Sequence, residues 1–433
     1  MILATKHENK LLREHYFRFT HKSGLAVYVF PKKLSTNYAV FGTRYGSIDN
    51  CFRINGEDEY RSVPDGIAHY LEHRMFTQAD GSDITERFSQ CGADCNAYTT
   101  YTKTVYLFSC TDNAEEALSA LVNFVTQPHF TEGLVERERG IIVQEIRMGE
   151  DDPYEQCYDR LMQTMYHNHS VRTSVAGSAE SVSEITADML NLCYRAFYTP
   201  TNMALVVCGD LTPEQVEAVV DRTVPPDFVA ADVERRKIYE PDAVKKRVTE
   251  RTMTVAKPIF AIGIKDNRLV SDSQKRIKRC AAMSLLCDIL FSRSGELYND
   301  MFEADMVSPD FSGSYACSET FAFVSVTGES DDPMAVLSKI KSYISALAEQ
   351  GVSDEVLERS RRVLYSEFVK DFDSTEEIAN NMIDFILDGA DLLDYGNCIR
   401  GVTKETVDGL LREAFRNEYF CISVIRPEGK EIL

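Results

Sequence analysis

Histidine is scarce in this 433-residue chain: eight residues, all at or before position 169. A site built on imidazole must therefore lie in the first half, and the second half cannot hold a copy of it. Positive charge is short as well, 47 Lys and Arg against 68 Asp and Glu, for a formal net charge of -21. That balance argues against nucleic acid and against an anionic membrane surface as partners. It suits basic or neutral peptides, and equally well plain acidic solubility. No apolar run approaches the roughly 18 residues of a membrane span. The opening residues Met1 to Glu8 lack a basic segment followed by an apolar core, so no secretory signal is expected. Twelve cysteines are scattered along the chain, several in apolar runs, as buried free thiols are. Cys91 and Cys95 form the only close pair, and no second pair completes a zinc site. Unpaired thiols without a signal predict a reducing cytoplasm.

What is present is concentrated in five residues, His69-Tyr70-Leu71-Glu72-His73. Residues four apart on a helix lie nearly above one another, so His69 and His73 converge on one point. Glu72 stands about 60° round the helix from His69. Two imidazoles with a neighbouring carboxylate are a zinc grip plus a base for water, the inverted His-x-x-Glu-His arrangement. With so few histidines, chance produces the pattern in on the order of 1% of such chains. The helix is plausible locally. Val63-Pro64-Asp65-Gly66 is turn chemistry with Asp65 a candidate N-cap, and Ile67, Ala68, Leu71, Met75 and Phe76 form an apolar face. Gly81-Ser82-Asp83 closes the segment and opens the next helix.

A third ligand should come from another helix and offer oxygen or nitrogen. Residues 131–149 are strongly amphipathic through Leu134, Ile141, Ile142 and Ile146. Glu138 and Glu145 are seven apart and share one face. Glu132, Glu136 and Glu150 read as a solvated face, and His167 and His169 as surface residues beyond that helix.

Together these segments resemble the pitrilysin/insulysin family of zinc peptidases, and within it the small mitochondrial-processing-peptidase type and its bacterial relatives. The likeness runs from Gly66-Ile67-Ala68-His69-Tyr70-Leu71-Glu72-His73 through Asn96-Ala97-Tyr98-Thr99 to the Glu-x6-Glu of Glu138 and Glu145. It continues in Tyr198-Thr199-Pro200-Thr201-Asn202-Met203, which leads into Ala204 to Leu211. The resemblance implies Zn2+ held by His69, His73 and Glu145, Glu72 as general base, and Glu138 as the outer acid orienting a ligating histidine. It implies that Asn96 and Ala97 present a strand edge to the substrate backbone. The apolar strand over residues 103–109 reads as core.

The two halves echo one another. Strands at 25–30 and 38–41 precede the motif helix, and 258–264 precedes a helix at 279–291. The helix at 131–145 is matched by 353–367, and the strand 204–208 by 420–425. The expected fold is α+β: two homologous domains, each a mostly antiparallel sheet covered by helices. Residues 1–220 form the zinc-binding domain, 221–247 a linker and 248–433 a metal-free domain. With Phe76 aligned on Phe291, Ser284, Cys287 and Asp288 stand in the places of His69, Glu72 and His73. Active members of the resembled family carry an Arg and a Tyr in the metal-free half that bind the substrate carbonyl and oxyanion. Here Phe302 stands near the Arg position and Ser308-Pro309 near the Tyr position. Loss of one oxyanion donor costs about 2.7–4 kcal/mol.

The expectation is a zinc metalloendopeptidase cleaving unfolded peptides in a chamber of paired subunits. Its partner would be a second copy or a related chain lacking the zinc motif, and would supply the missing pair. The alternative is a largely non-catalytic scaffold subunit of a processing-peptidase-like heterodimer.

Overall fold

The computed structural model describes residues 4–78 and 81–429. Strands and helices alternate along the chain. The first part holds β1 (Thr5–Asn9), β2 (Glu14–Thr20), β3 (Ala26–Pro31), β4 (Asn37–Thr43), β5 (Cys51–Ile54), β6 (Arg61–Ser62), α1 (Ile67–Met75), α2 (Ile84–Gln90), β7 (Ala93–Thr99), β8 (Thr104–Cys110) and α3 (Ala114–Thr126). It continues with α4 (Glu132–Asp151), α5 (Pro153–Met165), α6 (Ala179–Ser183), α7 (Ala187–Phe197), β9 (Met203–Gly209), α8 (Pro213–Thr223) and β10 (Val233–Arg235). The second part holds β11 (Val248–Met253), β12 (Ile259–Lys265), α9 (Ser273–Phe291), α10 (Glu296–Glu303), β13 (Ser312–Cys317), β14 (Ala322–Glu329) and α11 (Pro333–Gln350). It ends with α12 (Asp354–Lys370), α13 (Thr375–Leu387), α14 (Leu392–Arg400), α15 (Lys404–Ala414) and β15 (Phe420–Pro427).

These elements assemble into two compact units. The first takes residues up to Ile146, Ser174–Lys237 and Val369–Asp394; the second takes Arg147–Thr173, Ile238–Phe368 and Tyr395 onward. The first unit has a sheet in the order β1-β2-β3-β9-β4-β8-β7, and the second in the order β11-β15-β12-β14-β13. Remove β1 and β2 and the two orders coincide. In each, one pair is parallel (β3 with β9, β11 with β15) and the remaining neighbours are antiparallel. This is the expected α+β architecture of mostly antiparallel sheets covered by helices.

The central strands are apolar on both faces, since every residue of β4, β9 and β12 is buried. Such a strand needs cover on two sides. Part of that cover comes from an exchange between the halves of the chain. Helix α5 packs on β11, β12 and β15 of the second unit, and α13 packs on β4 and β9 of the first. A glycine admits each helix. A Cβ on Gly42 of β4 would meet Ile383 Cγ1 at 2.8 Å, and one on Gly263 of β12 would meet Met165 and Leu161. The chain-order division at 220 and 247 therefore does not describe the units, because α5 and α13 cross it. Nor is 221–247 only a connector: α8 runs to Thr223, and β10 pairs with β5, Val233 against Ile54.

Two further expectations change. Cys280 and Cys317 form a disulfide joining α9 to β13, while the other ten cysteines are free. His169 is buried, 4% exposed, because its Nδ1 accepts the Val171 N–H and its ring lies against Phe321 and Tyr166. His167 is half-buried, with only its ring nitrogen Nε2 shielded, so the surface expectation fails outright for His169 alone. Among the described residues, no helix is long and apolar enough to cross a membrane.

Candidate metal centre

Helix α1 begins at Ile67 behind Gly66, whose φ of 87° is the left-handed conformation that glycine adopts freely. Asp65 does not cap it. Its carboxylate instead accepts from Asn50 Nδ2 at 2.7 Å, and its backbone carbonyl accepts from Ser181 Oγ at 2.9 Å. Ile67, Ala68, Leu71 and Met75 are buried in the core, as the apolar periodicity predicts. Tyr70, on the same helix, donates its hydroxyl to the Val135 carbonyl and so ties α1 to α4. Asp83 caps the next helix through Thr85 N–H at 2.8 Å.

That tie matters because α4 carries the two acids. Val135, Ile142 and Ile146 bury one side of α4, and Glu138 and Glu145 lie on the flank turned to α1. Glu145 Oε1 is 3.5 Å from His69 Nε2, and Glu145 Oε2 is 3.3 Å from His73 Nε2. The two imidazole rings are 4.6 Å apart at 67°. One ligand atom from each of His69, His73 and Glu145 falls within 4.8 Å of the other two, a group able to hold a metal ion. On the far side of His73, Nδ1 faces Glu138 Oε1 at 3.3 Å. Glu145 is 48% exposed on its side chain, so the cluster opens outward.

The electrostatics express three carboxylates around two imidazoles. Burial works against a charged His73, but Glu138 and Glu145 outweigh it and push its pKa up to about 10. Hydrogen bonds to His69 and His73 hold Glu145 far below the usual carboxylate range. Such a set attracts positive charge, and a dication meets that demand better than one shared proton does. The donors, two imidazole nitrogens and one carboxylate, are those of a three-ligand zinc site with a fourth position left open.

Glu72 is 7% exposed and its pKa is raised, chiefly by burial, with Thr99 and the two histidines opposing. Thr99 Oγ1 donates to Glu72 Oε2 at 2.6 Å and fixes one carboxylate oxygen. Beside it, Tyr106 and Tyr198 share a 2.8 Å hydroxyl contact in the core. Sequence reasoning gave no role to Thr99. Its signal was its place at the end of Asn96-Ala97-Tyr98-Thr99, one turn of strand from the expected substrate edge.

Asn96 and Ala97 lie on β7, which pairs only with β8 among the described residues and ends the sheet. The Ala97 N–H donates to the Asn96 side-chain oxygen at 2.8 Å. Helix α1 packs against this strand, so the outer sheet edge and the His69/His73/Glu145 cluster belong to one neighbourhood. In the second unit, Phe302 is a solvent-exposed side chain on α10. Ser308 bonds Asp310, and the Pro309 carbonyl accepts from Arg293 at 2.6 Å. Ser284 and Cys287 lie on α9, where Cys287 is buried.

Comparison with known proteins agrees with this geometry. Residues 60–179 match the model of the insulinase family, peptidase family M16, and residues 184–364 match the M16 inactive domain. An uncharacterized zinc protease of Bacillus subtilis (strain 168), YmfH, is 35% identical over 98% of this chain and 99% of its own length. The crystal structure of an M16-like peptidase from Alicyclobacillus acidocaldarius superposes with a TM-score of 0.92 and 31% identity, over 98% of this chain and 100% of that one. Pitrilysin shares the fold at a TM-score of 0.77 and 15% identity, this chain covering 47% of it. With a His/His/Glu trio able to hold a metal ion, a buried carboxylate and a second unit on the same strand order, the chain belongs to the M16, insulinase-type, family of zinc peptidases.

Proposed function

We propose that this chain is a zinc-dependent endopeptidase that cleaves unfolded peptides. The observation that carries the reading is the convergence of His69, His73 and Glu145 beside the buried carboxylate of Glu72. His69 and His73 would hold the ion through Nε2, with Glu145 as third ligand. When bound, zinc supplies Lewis acidity that polarises a carbonyl and acidifies water.

The chain's own groups do the rest. Glu138 holds the Nδ1 proton of His73 and leaves its Nε2 lone pair free. Glu72 takes a proton from the attacking water and returns it to the leaving nitrogen. A carboxylate whose proton affinity is raised by burial is suited to both steps. Thr99 keeps Glu72 Oε2 occupied, which directs the other oxygen to that work. The free edge of β7 receives the substrate as an added strand, and the Asn96 carboxamide gives up the Ala97 N–H to it.

In this reading the working enzyme is a pair of chains around a chamber, of the small processing-peptidase type. Phe302 and Pro309 offer neither cation nor phenol, so a partner, a second copy or a related chain without the zinc motif, supplies them. That pitrilysin is about twice as long as the part this chain covers supports the pairing. Ten free thiols favour a reducing cytoplasm, with the single disulfide as the opposing observation. The same Phe302 and Pro309 favour the second reading, a scaffold subunit without activity of its own.

Zinc content and cleavage of a peptide mixture, measured on the chain alone and with candidate partners, separate these. The enzyme reading expects one zinc per chain and chelator-sensitive cleavage that rises with the partner. It also expects Glu72→Gln to keep zinc and lose cleavage. Protein that takes up no zinc, or Glu72→Gln turning over at the original rate, sinks it.

A further inference from the structure

The two units differ in what covers one equivalent helix. Helix α3 follows β8 in the first unit as α11 follows β14 in the second. In the first unit α8, which follows β9, lies along α3: Val216, Val219 and Val220 are buried, Gln215 bonds Glu115 at 3.0 Å, and Thr223 meets Ser119 at 3.3 Å. Its last turn reaches the turn between β2 and β3, where Asp221 contacts His21 at 3.2 Å. The strand equivalent to β9 is β15, and among the described residues no helix follows it.

On the second half of α11, beyond the stretch that matches Glu115 and Ser119 of α3 and against the end of α15, there is an open groove of about 830 Å³. It lies beside the start of β15, and the charge on Lys341 at its rim is disfavoured by burial and then by Arg247, the residue before β11. The floor is apolar: Ile344, Leu411 and Phe420 are buried, with Phe415 beside them. Along the α11 wall Ser345 and Ala348 leave room for a close neighbour. The rim is cationic in a chain of net charge -21, with Lys341, Arg412 and Arg416 against one lining acid, Glu349. Among the described residues Arg412 and Arg416 contact no carboxylate, and Lys341 rests on the Asn417 carboxamide at 2.9 Å and over the Phe420 ring.

We propose that this groove receives an acidic amphipathic helix of a partner protein, laid along the second half of α11 with its acids toward the cationic rim. Helix α8 puts Val216, Val219 and Val220 inward and carries Glu214, Glu217 and Asp221, the pattern that an apolar floor with a cationic rim accepts. Burial of the aliphatic stripe supplies affinity, and the rim supplies orientation and selection against basic helices. The nine residues from Lys341 to Glu349 span about 13 Å, some two and a half turns, close to the length of α8. The proposal does not rest on the metal site.

The test uses the full chain and a fluorescein-labelled peptide of α8 pattern, with Leu at the three Val positions and Glu at the three acidic ones. Anisotropy should report saturable binding. Arg412→Glu with Arg416→Glu should weaken it by at least about tenfold, and a peptide with Lys for Glu should bind at least about tenfold more weakly. Both arginines are exposed, and an unchanged thermal transition for the double variant verifies that the fold is intact. Three results overturn the proposal: no binding by the acidic peptide, equal binding by its Lys version, or equal affinity in the double variant. Displacement of the peptide by phosphatidylglycerol vesicles whose binding needs the same arginines also overturns it, in favour of a lipid surface.

Discussion

The two units run the same five-strand order around different helices. In the first, the helix that follows β4 presents His69, Glu72 and His73 toward acids on α4; in the second, α9 carries Ser284, Cys287 and Asp288 at the aligned positions. The strand order is shared, so the difference lies in the helices and the side chains they carry. A buried thiol such as Cys287 packs where a buried carboxylate would need partners. The cluster able to hold a metal ion is thus a local property of a few helical turns on α1 and α4.

The comparison can be broken experimentally, and the largest effect expected is on the metal. Glu145→Gln or His73→Ala should reduce bound zinc from one per chain to near none by elemental analysis. Asp288→Asn in the other unit should leave it unchanged; zinc lost from that variant would overturn the assignment of the metal to the first unit. Next comes the disulfide, which only the second unit has. Loss of a cross-link of this loop length costs roughly 2–4 kcal/mol. Cys280→Ser with Cys317→Ser should therefore lower the denaturant midpoint of the second unit, while zinc uptake in the first persists.

A pH effect of similar size belongs to the second unit as well. Burial depresses His169 to about 4, so below its ordinary 6.5 the unfolded chain binds a proton that the native chain refuses. Stability is complete above pH 6.5 and is lost as pH falls toward 4, of the order of 2 kcal/mol between pH 7 and 5. Despite its burial, Glu240 is held down to about 2 by Lys265 and by the backbone N–H groups of residues 167–169. Its contribution is lost at lower pH, from about 4.5 toward 2. His169→Gln should flatten the upper part of the profile in unfolding titrations and leave the lower part. The smallest effect is at the paired glycines. Gly42→Val and Gly263→Val should each destabilise by about 1–3 kcal/mol through clashes with α13 and α5. Similar losses at both sites would sharpen the equivalence, and tolerance at one would break it.

Much of this was legible in the residues. The spacing of His69 and His73 needs only a helix to bring them together, and the apolar residues between them supply one. The repeat could be read because strand-sized apolar runs recur in the same order. Other features could not be read, for physical reasons. Asp65 looked like a cap, but its carboxylate is taken by Asn50, a loop residue that the local sequence does not bring near. Amphipathic periodicity marks α5 and α13 as helices with one buried face, yet says nothing of which sheet that face meets. His169 is polar, and only the fold brings it the Val171 N–H and the aromatic rings that make its burial tolerable. Cys280 and Cys317, separated by 37 residues, carry no local signature of pairing.

The exchange of α5 and α13 has a consequence for how the molecule is made. On a ribosome the first unit is nearly all synthesised by residue 237, yet β4 and β9 remain bare on one face until α13 emerges about 140 residues later. Its sheet must wait, exposed, for most of the remaining translation. The nascent chain therefore offers a long-lived apolar surface to chaperones. A ribosome stalled between these points should hold a first unit that is incomplete however long it waits.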